Sequence, residues 1–312
     1  EVVHIDATLI RADVSFDALV ERHLDAVDAA NLTEDERLAR TSGKFKKVCS
    51  TDPDATMATN SRNQRLQPAY KQHTAVDDMA GVIVDVEVVT GEEHDIGRMA
   101  ERLNAIEETL GRAPGVITAD AAYGTGKVYA ALAERDIEAI IPHRSPTRRP
   151  DAKGFPVERF RYDAKADVVR CPRKRILTPR TATKAGRWFR ARNADCAGCP
   201  LRAGCIPGEG ATRRVHIVTH YVAMLRGRRK RRAWGERERA LYIRHRWHVE
   251  GTQGTAKTLH GLARAIRRGL ANIRIQALLT ATAINLKRLA KALGLALRDL
   301  LARIIATQTS MA

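Results

Sequence analysis

At 312 residues the chain has length for one large domain or two modest ones, with ample material for a core. Its net charge of +18 is split unevenly: residues 1–143 carry 15 Lys and Arg against 26 Asp and Glu, a net of −11, whereas residues 144–312 carry 39 against 10, a net of +29. The basic half points to a polyanion, nucleic acid before membrane, and no apolar run approaches the roughly 18 residues that a bilayer-spanning helix requires.

Val2 to Ile10 is rich in β-branched residues and reads as a buried strand whose apolar run is broken by one carboxylate, Asp6. The start has neither a basic n-region nor an apolar h-region, so it is not a signal peptide, and an intracellular protein is expected. The chain opens on Glu1 already inside this strand, which suggests a leading segment absent from the sequence. Residues 11–66 are polar and turn-rich, with a short helix expected near residues 17–30 and with Asp52 and Asp54 as turn formers. Residues 68–76 and 82–89 alternate on either side of a turn and predict an antiparallel hairpin. Lys71 and His73 share one face of its first strand, read as the solvent side. A helix over residues 94–110 follows from Ile96, Met99, Leu103, Ile106 and Leu110, and Gly111 ends it. Residues 115–119 form a short apolar strand running into Asp120, where α/β sheets place catalytic groups. The glycines after it lack the phosphate-loop patterns. A helix over 127–135 and a strand over 137–142 complete this half.

From residue 143 to about 238 the chain reads as loop-rich and basic, and it holds four of the five cysteines. Cys196 and Cys199 form a CxxC knuckle, Cys171 precedes a proline, and Cys205 stands wider than a second knuckle would place it. Tetrahedral zinc on Cys171, Cys196, Cys199 and Cys205, inert thiols and redox chemistry stand as alternatives, while Cys49 reads as an isolated buried thiol. Arg228, Arg229, Lys230 and Arg231 belong to a dense basic run suited to phosphate contact or to a solvated face.

Between Arg239 and Arg298 the one acidic side chain is Glu250. On a helix, Arg246, Glu250 and Lys257 share a face, with Glu250 and Lys257 about 10 Å apart at 1.5 Å per residue, a spacing nearer to that of neighbouring phosphates than to that of a salt bridge. A plain surface pair of Arg246 with Glu250 is the competing local reading. Gly251 and Gly254 each cost a helix about 1 kcal/mol, a cost usually accepted where a backbone or ligand comes close. Arg267 and Arg268 lie in a basic turn, and residues 273–289 and 295–305 read as two closing helices, the first buried against the sheet.

Strand with Asp6, hairpin, helix, strand with Asp120, helix, strand, insert and helix with Glu250 is the order of an α/β ribonuclease-H-like fold: a mixed sheet with flanking helices, interrupted by a basic four-cysteine insertion. Its expected parts are residues 1–143, the insertion 144–238, and a helical part 239–312. The chain resembles the DDE transposases of bacterial insertion sequences, in the branch whose core is interrupted by a cysteine-bearing segment. The likeness rests on His4-Ile-Asp6-Ala-Thr-Leu, Tyr70-Lys71-x-His73, Ala119-Asp120-x-x-Tyr123-Gly124, the stretch from Cys171-Pro to Cys196-x-x-Cys199-Pro-Leu, and Arg246-x-x-x-Glu250 with Lys257. The last matches the family's Tyr-Arg-Glu-Lys signature, with Tyr242 four residues before Arg246 where the signature has three.

That resemblance implies a catalytic triad of Asp6, Asp120 and Glu250, with Arg246 and Lys257 on transposon-end DNA. It implies two magnesium or manganese ions on the three acids, for water to cut the element's end and the freed 3′-hydroxyl to attack target DNA. Double-stranded DNA is the implied partner, a homo-oligomer in the DNA complex the implied state, and the bacterial cytoplasm, near the nucleoid, the implied location. Relatives carry a helical region before the first Asp, and only five residues precede Asp6, so a truncated copy is expected. A non-catalytic DNA-binding relic and a ribonuclease-H-like nuclease without strand transfer are the alternatives.

Overall fold

The computed structural model describes residues 1–23, 45–59, 65–143, 154–206 and 210–309. They divide into two compact units, Glu1–Asp120 with Glu236–Ala312, and Ala121–Gly235. The expected boundary at residue 143 thus falls inside the second unit.

The first unit is built on strand β1, Val2–Arg11. The hairpin of β5, Gln67–Asp77, and β6, Ile83–Thr90, lies beside it, β5 running antiparallel to β1 from Val3 opposite Asp77 to Arg11 opposite Ala69. Helix α1, Met99–Leu110, then leads to β7, Val116–Ala119, which pairs parallel with the other edge of β1. Gly111 closes α1 at φ 70°, the left-handed cap that the sequence signals. Three antiparallel strands followed by a helical crossover to a parallel one give the mixed sheet of the ribonuclease-H-like fold. Two short pieces are added between β1 and β5. Strand β2, Leu19–His23, pairs with β3, Phe45–Cys49, and β4, Thr56–Ala58, pairs with the start of β5.

Local expectation and structure part at several points. A single turn at Phe16–Ala18 leads directly into β2 where the start of a helix is expected, and the rest of that expected helix lies outside the described residues. His73 is buried instead of facing solvent: it stands on the α1 side of the sheet, and burial first, then the charge of Arg102 on α1, drives its pKa down to about 3. The two closing helices are one, α8, Leu270–Thr309, because Gly294 is the single weak residue in an otherwise strong helix-forming run. Asp52 and Asp54 lie in the expected turn, closed by the Ala55 N–H on the Asp52 carbonyl at 3.1 Å, and their carboxylates also hold the N-terminus of α8, accepting the backbone N–H of Gly269 at 3.2 Å and of Leu270 at 2.9 Å. Ile273, Ala277, Ala281 and Ile284 of α8 are buried in one cluster with Ile10, Tyr70, Val76 and Val88 of the sheet, whereas Leu286, Leu289 and Leu293 are exposed.

The second unit contains helix α2, Gly126–Ala133, and strand β8, Glu138–Ile140. The region after residue 143, expected as loop-rich, also contains a sheet: β9, Arg161–Asp163, β10, Val168–Arg170, β11, Ile176–Thr183, β12, Gly186–Arg190, and β13, Arg214–Val218, form a five-stranded antiparallel meander. Short strands with Arg on their open faces hide the alternation that marks longer ones. Two short helices, α3, Asn193–Ala197, and α4, Arg202–Cys205, carry Cys196 and Cys205, with Cys199 between them. The basic run forms the second half of helix α5, Tyr221–Arg232. Among the described residues no helix is long and apolar enough to cross a membrane.

Gly227 of α5 lies against the ring of Tyr129 on α2, where an added Cβ would come within 2.5 Å of the ring. The Tyr129 hydroxyl donates to the Ile141 carbonyl at 3.0 Å and fixes that ring in place. Gly227→Ala should therefore destabilise the protein by about 1–3 kcal/mol through overpacking, against the gain of about 1 kcal/mol that helix propensity alone gives. Urea unfolding measures the sign, and a stabilised variant would contradict the packing described.

Candidate active site

The parallel register sets His4 opposite Thr118 and Ile5 opposite Ala119, so the next residue of each chain is an aspartate, Asp6 on β1 and Asp120 just past β7. Side chains two apart on a strand share a face, and neighbouring strands lie about 4.8 Å apart. The two aspartates thus occupy neighbouring register positions beyond the His4–Thr118 pair, and the charge of Asp120 is felt at Asp6. The Asp6 pKa is pushed up to about 7, by burial first, and then by the charges of Asp120, Asp95 and Glu250. The charges of Asp120 and Glu250 are thus both felt at Asp6, although the three acids do not bring their ligand atoms within 4.8 Å of one another.

Glu250 arrives on a three-part helical segment: α6, Glu236–His245, one π-helical turn, Arg246–Glu250, and α7, Gly251–Leu259. A π turn carries one extra residue per hydrogen-bonded loop and shifts the face that follows it. Buried Val249 anchors the turn in the cluster with Ile10 and Ala256. A chain of polar contacts fixes where the turn meets the sheet. His245 Nδ1 lies 3.0 Å from Thr118 Oγ1, Thr118 Oγ1 lies 2.6 Å from His4 Nδ1, and His4 Nε2 lies 2.9 Å from Asp78 Oδ1.

One proton arrangement satisfies every contact: His4 donates from Nε2 to Asp78, accepts from the Thr118 hydroxyl at Nδ1, and Thr118 accepts from His245 Nδ1–H. Both imidazoles are then neutral. Burial acts in the same sense, lowering the pKa of His4 and bringing that of His245 down to about 4. Arg244 Nη2 binds the other side of Asp78 at 2.9 Å.

Lys257 of α7 faces the same place: burial lowers its pKa and the charge of Asp6 raises it. Arg246 lies 3.6 Å from Glu250, so the surface pair of the plain local reading is present as well, with Arg246 72% and Glu250 54% exposed. Trp247, 78% exposed in the same turn, was not singled out by the sequence. Nor was Asp95, which pairs with Lys71 at 2.7 Å and adds its charge to those felt by Asp6. An acid in a polar turn gives no signal of its own. The backbone at Gly251 and Gly254 has open space around it.

In the second unit, Arg228 pairs with Glu158 at 2.9 Å, Lys230 with Glu138 at 3.0 Å, and Arg231 stacks over Trp234 at 4.1 Å, while Arg229 is exposed. Arg267 and Arg268 of the first unit are exposed as well. The four cysteines gather: burial raises the pKa of Cys205, and the thiols of Cys196, Cys171 and Cys199 add to it. No three of their sulfurs lie within 4.8 Å of one another.

Residues 1–198 match a family model described as Transposase DDE domain, and residues 170–290 match a second model with the same description. The chain belongs to the DDE transposase family. No match was found among curated proteins or among solved structures. Membership gives this transposase DNA as its partner and a divalent cation as its usual cofactor. Three carboxylates are oxygen donors of the kind magnesium and manganese take, and like charges crowding Asp6 are what a cation there would relieve.

Without metal, that crowding is a cost. Because the folded pKa of Asp6 lies above its ordinary 3.8, the folded state holds this proton more tightly, and the associated stability is full below about pH 4 and lost as pH rises through about 7. Asp6→Asn should therefore be more stable than the parent transposase at pH 8 in chelator, and the gap should close by pH 4. A gain of about 1 kcal/mol raises the midpoint by roughly 2–4 °C, measurable by calorimetry. An Asn variant no more stable at pH 8 would contradict the crowding.

Proposed function

We propose that this transposase cleaves DNA at the ends of a mobile element and joins the freed 3′ ends to target DNA, with Asp6, Asp120 and Glu250 as its catalytic triad. The observation that carries this reading is the placement of Asp6 on β1 and Asp120 just past the end of the neighbouring β7, with the charges of Asp120 and Glu250 felt at Asp6. Magnesium or manganese, when bound by these acids, supplies the Lewis acidity that activates water or a 3′-hydroxyl and steadies the leaving oxygen.

The chain's own residues do the rest. Asp6 gives up the proton that crowding makes it retain and, with Asp120, forms the floor of the site. Glu250 closes it from the helical side. Lys257, near Asp6, neutralises a phosphate at the reacting centre, and Arg246 holds one further along the strand. The bare backbone at Gly251 and Gly254 lets DNA lie close on α7. Trp247 offers an exposed ring on which a base unpaired at the cut end can stack. Arg229, Arg267 and Arg268 add sequence-independent phosphate contacts, and cutting two ends in step calls for two or more copies in the DNA complex. Zinc on Cys171, Cys196, Cys199 and Cys205 would need the sulfurs drawn closer together.

Plasmid nicking in magnesium or manganese tests the triad. Asp120→Asn and Glu250→Gln should each lower the rate at least about 100-fold, the scale of losing one electrostatic contributor to the transition state, with DNA retention on a gel unchanged. Binding without cleavage by the parent chain would support a DNA-binding relic, and cleavage with no joining of pre-cut ends would support a nuclease.

Trp247→Ala separates stacking from chemistry. It should weaken binding to a frayed-end duplex about tenfold, in line with the roughly 1–3 kcal/mol of one base stack, while binding to a blunt duplex changes little. Equal losses on both substrates would remove Trp247 from the reading.

A further inference from the structure

His4, two residues before Asp6 on β1, belongs to a second group with ligand chemistry of a different kind. His4, Asp78 and His248 each offer a ligand atom, and these atoms lie within 4.8 Å of one another. They come from three separate segments: β1, the turn after β5, and the π turn. We propose that they form a metal site with two imidazole nitrogens and one carboxylate oxygen, suited to zinc or a similar transition ion, which pins the π turn to the sheet.

The distances are close to what such an ion needs. Two ligands about 2.0–2.1 Å from a tetrahedral ion stand about 3.3–3.4 Å apart. His4 Nε2 and His248 Nε2 lie 2.9 Å and 3.7 Å from Asp78 Oδ1, one slightly inside and one slightly outside that value. The rings of His4 and His248 stack within 4° of parallel at 4.9 Å, so the less buried His248 ring must rotate out of the stack for both nitrogens to meet one ion.

Outer contacts are of the sort that orient metal ligands. His4 is held through its other nitrogen by Thr118 Oγ1 at 2.6 Å, and Asp78 Oδ2 is bound by Arg244 at 2.9 Å, which leaves Oδ1 for the ion. With an ion present, the His4 proton sits on Nδ1 and is donated to Thr118. His4 is fully buried, but the side chains of Asp78 and His248 are 15% and 24% exposed, which gives an ion a way in and leaves its fourth position to water. Two nitrogens favour a borderline ion over magnesium, which separates this site from the all-carboxylate triad.

Zinc stoichiometry after dialysis tests the site in the full chain, with circular dichroism as the check on folding. The parent protein should hold one equivalent more than either His248→Ala or Asp78→Asn, and zinc should raise its melting temperature by an increment that both variants lose. X-ray absorption of that extra equivalent should show a nitrogen and oxygen shell at about 2.0–2.1 Å, distinct from the roughly 2.3 Å of cysteine sulfur. Equal stoichiometry in the parent and in whichever variant folds would overturn the proposal. So would a bound complement of zinc seen by sulfur alone at saturation, a result that needs no variant.

Discussion

The contact on which the first unit depends is the buried polar chain from His245 through Thr118 and His4 to Asp78. Hydrophobic burial around Val249, Ile273 and Ile284 presses the helical layer onto the sheet, but burial is non-directional and tolerates sliding. Hydrogen bonds between buried groups do not, because a slipped register would leave each partner unsatisfied at a cost of about 1–3 kcal/mol. The polar chain thus fixes which turn of helix lies over which pair of strand residues. Glu250 is five residues from one end of that chain, Asp6 and Asp120 two residues from its middle.

The same constraint explains why the acids can be held together at all. Burial first, and then the charges of Asp120, Asp95 and Glu250, raise the pKa of Asp6. In the proposed site, strands on one side and a fastened helix on the other would hold the three acids for a cation and a DNA phosphate. Stability given up at a reactive centre in this way is recovered elsewhere, in the capped start of α8 and in the apolar contacts beneath it. Lys257 lies in the same region, its pKa lowered by burial and raised by the charge of Asp6.

Much of this could be read from the chain because each acid breaks a local pattern: Asp6 an apolar strand, Asp120 the end of another, Glu250 a long basic stretch. Periodicity likewise revealed the hairpin, α1 and β7. What stayed hidden depends on partners distant in sequence. Asp52 and Asp54 form the turn that their sequence signals, but nothing local shows that their carboxylates also cap the N-terminus of α8, more than 200 residues later. His73 looks like a surface residue until α1 covers it. The π turn has no compositional mark, since one inserted residue leaves the helical pattern nearly intact. The five-stranded sheet of the second unit was concealed by the shortness of its strands, and the continuity of α8 by a glycine that the helix absorbs.

The central claim is geometric: Asp6, Asp120 and Glu250 share one cation-binding centre. Anomalous scattering from crystals grown with manganese tests it most directly. The account predicts manganese bound by oxygens of Asp6 and Asp120, with Glu250 bound to the same ion or to a second one about 3.5–4 Å away. Manganese bound elsewhere, with Glu250 paired to Arg246 and turned from both aspartates, would contradict it.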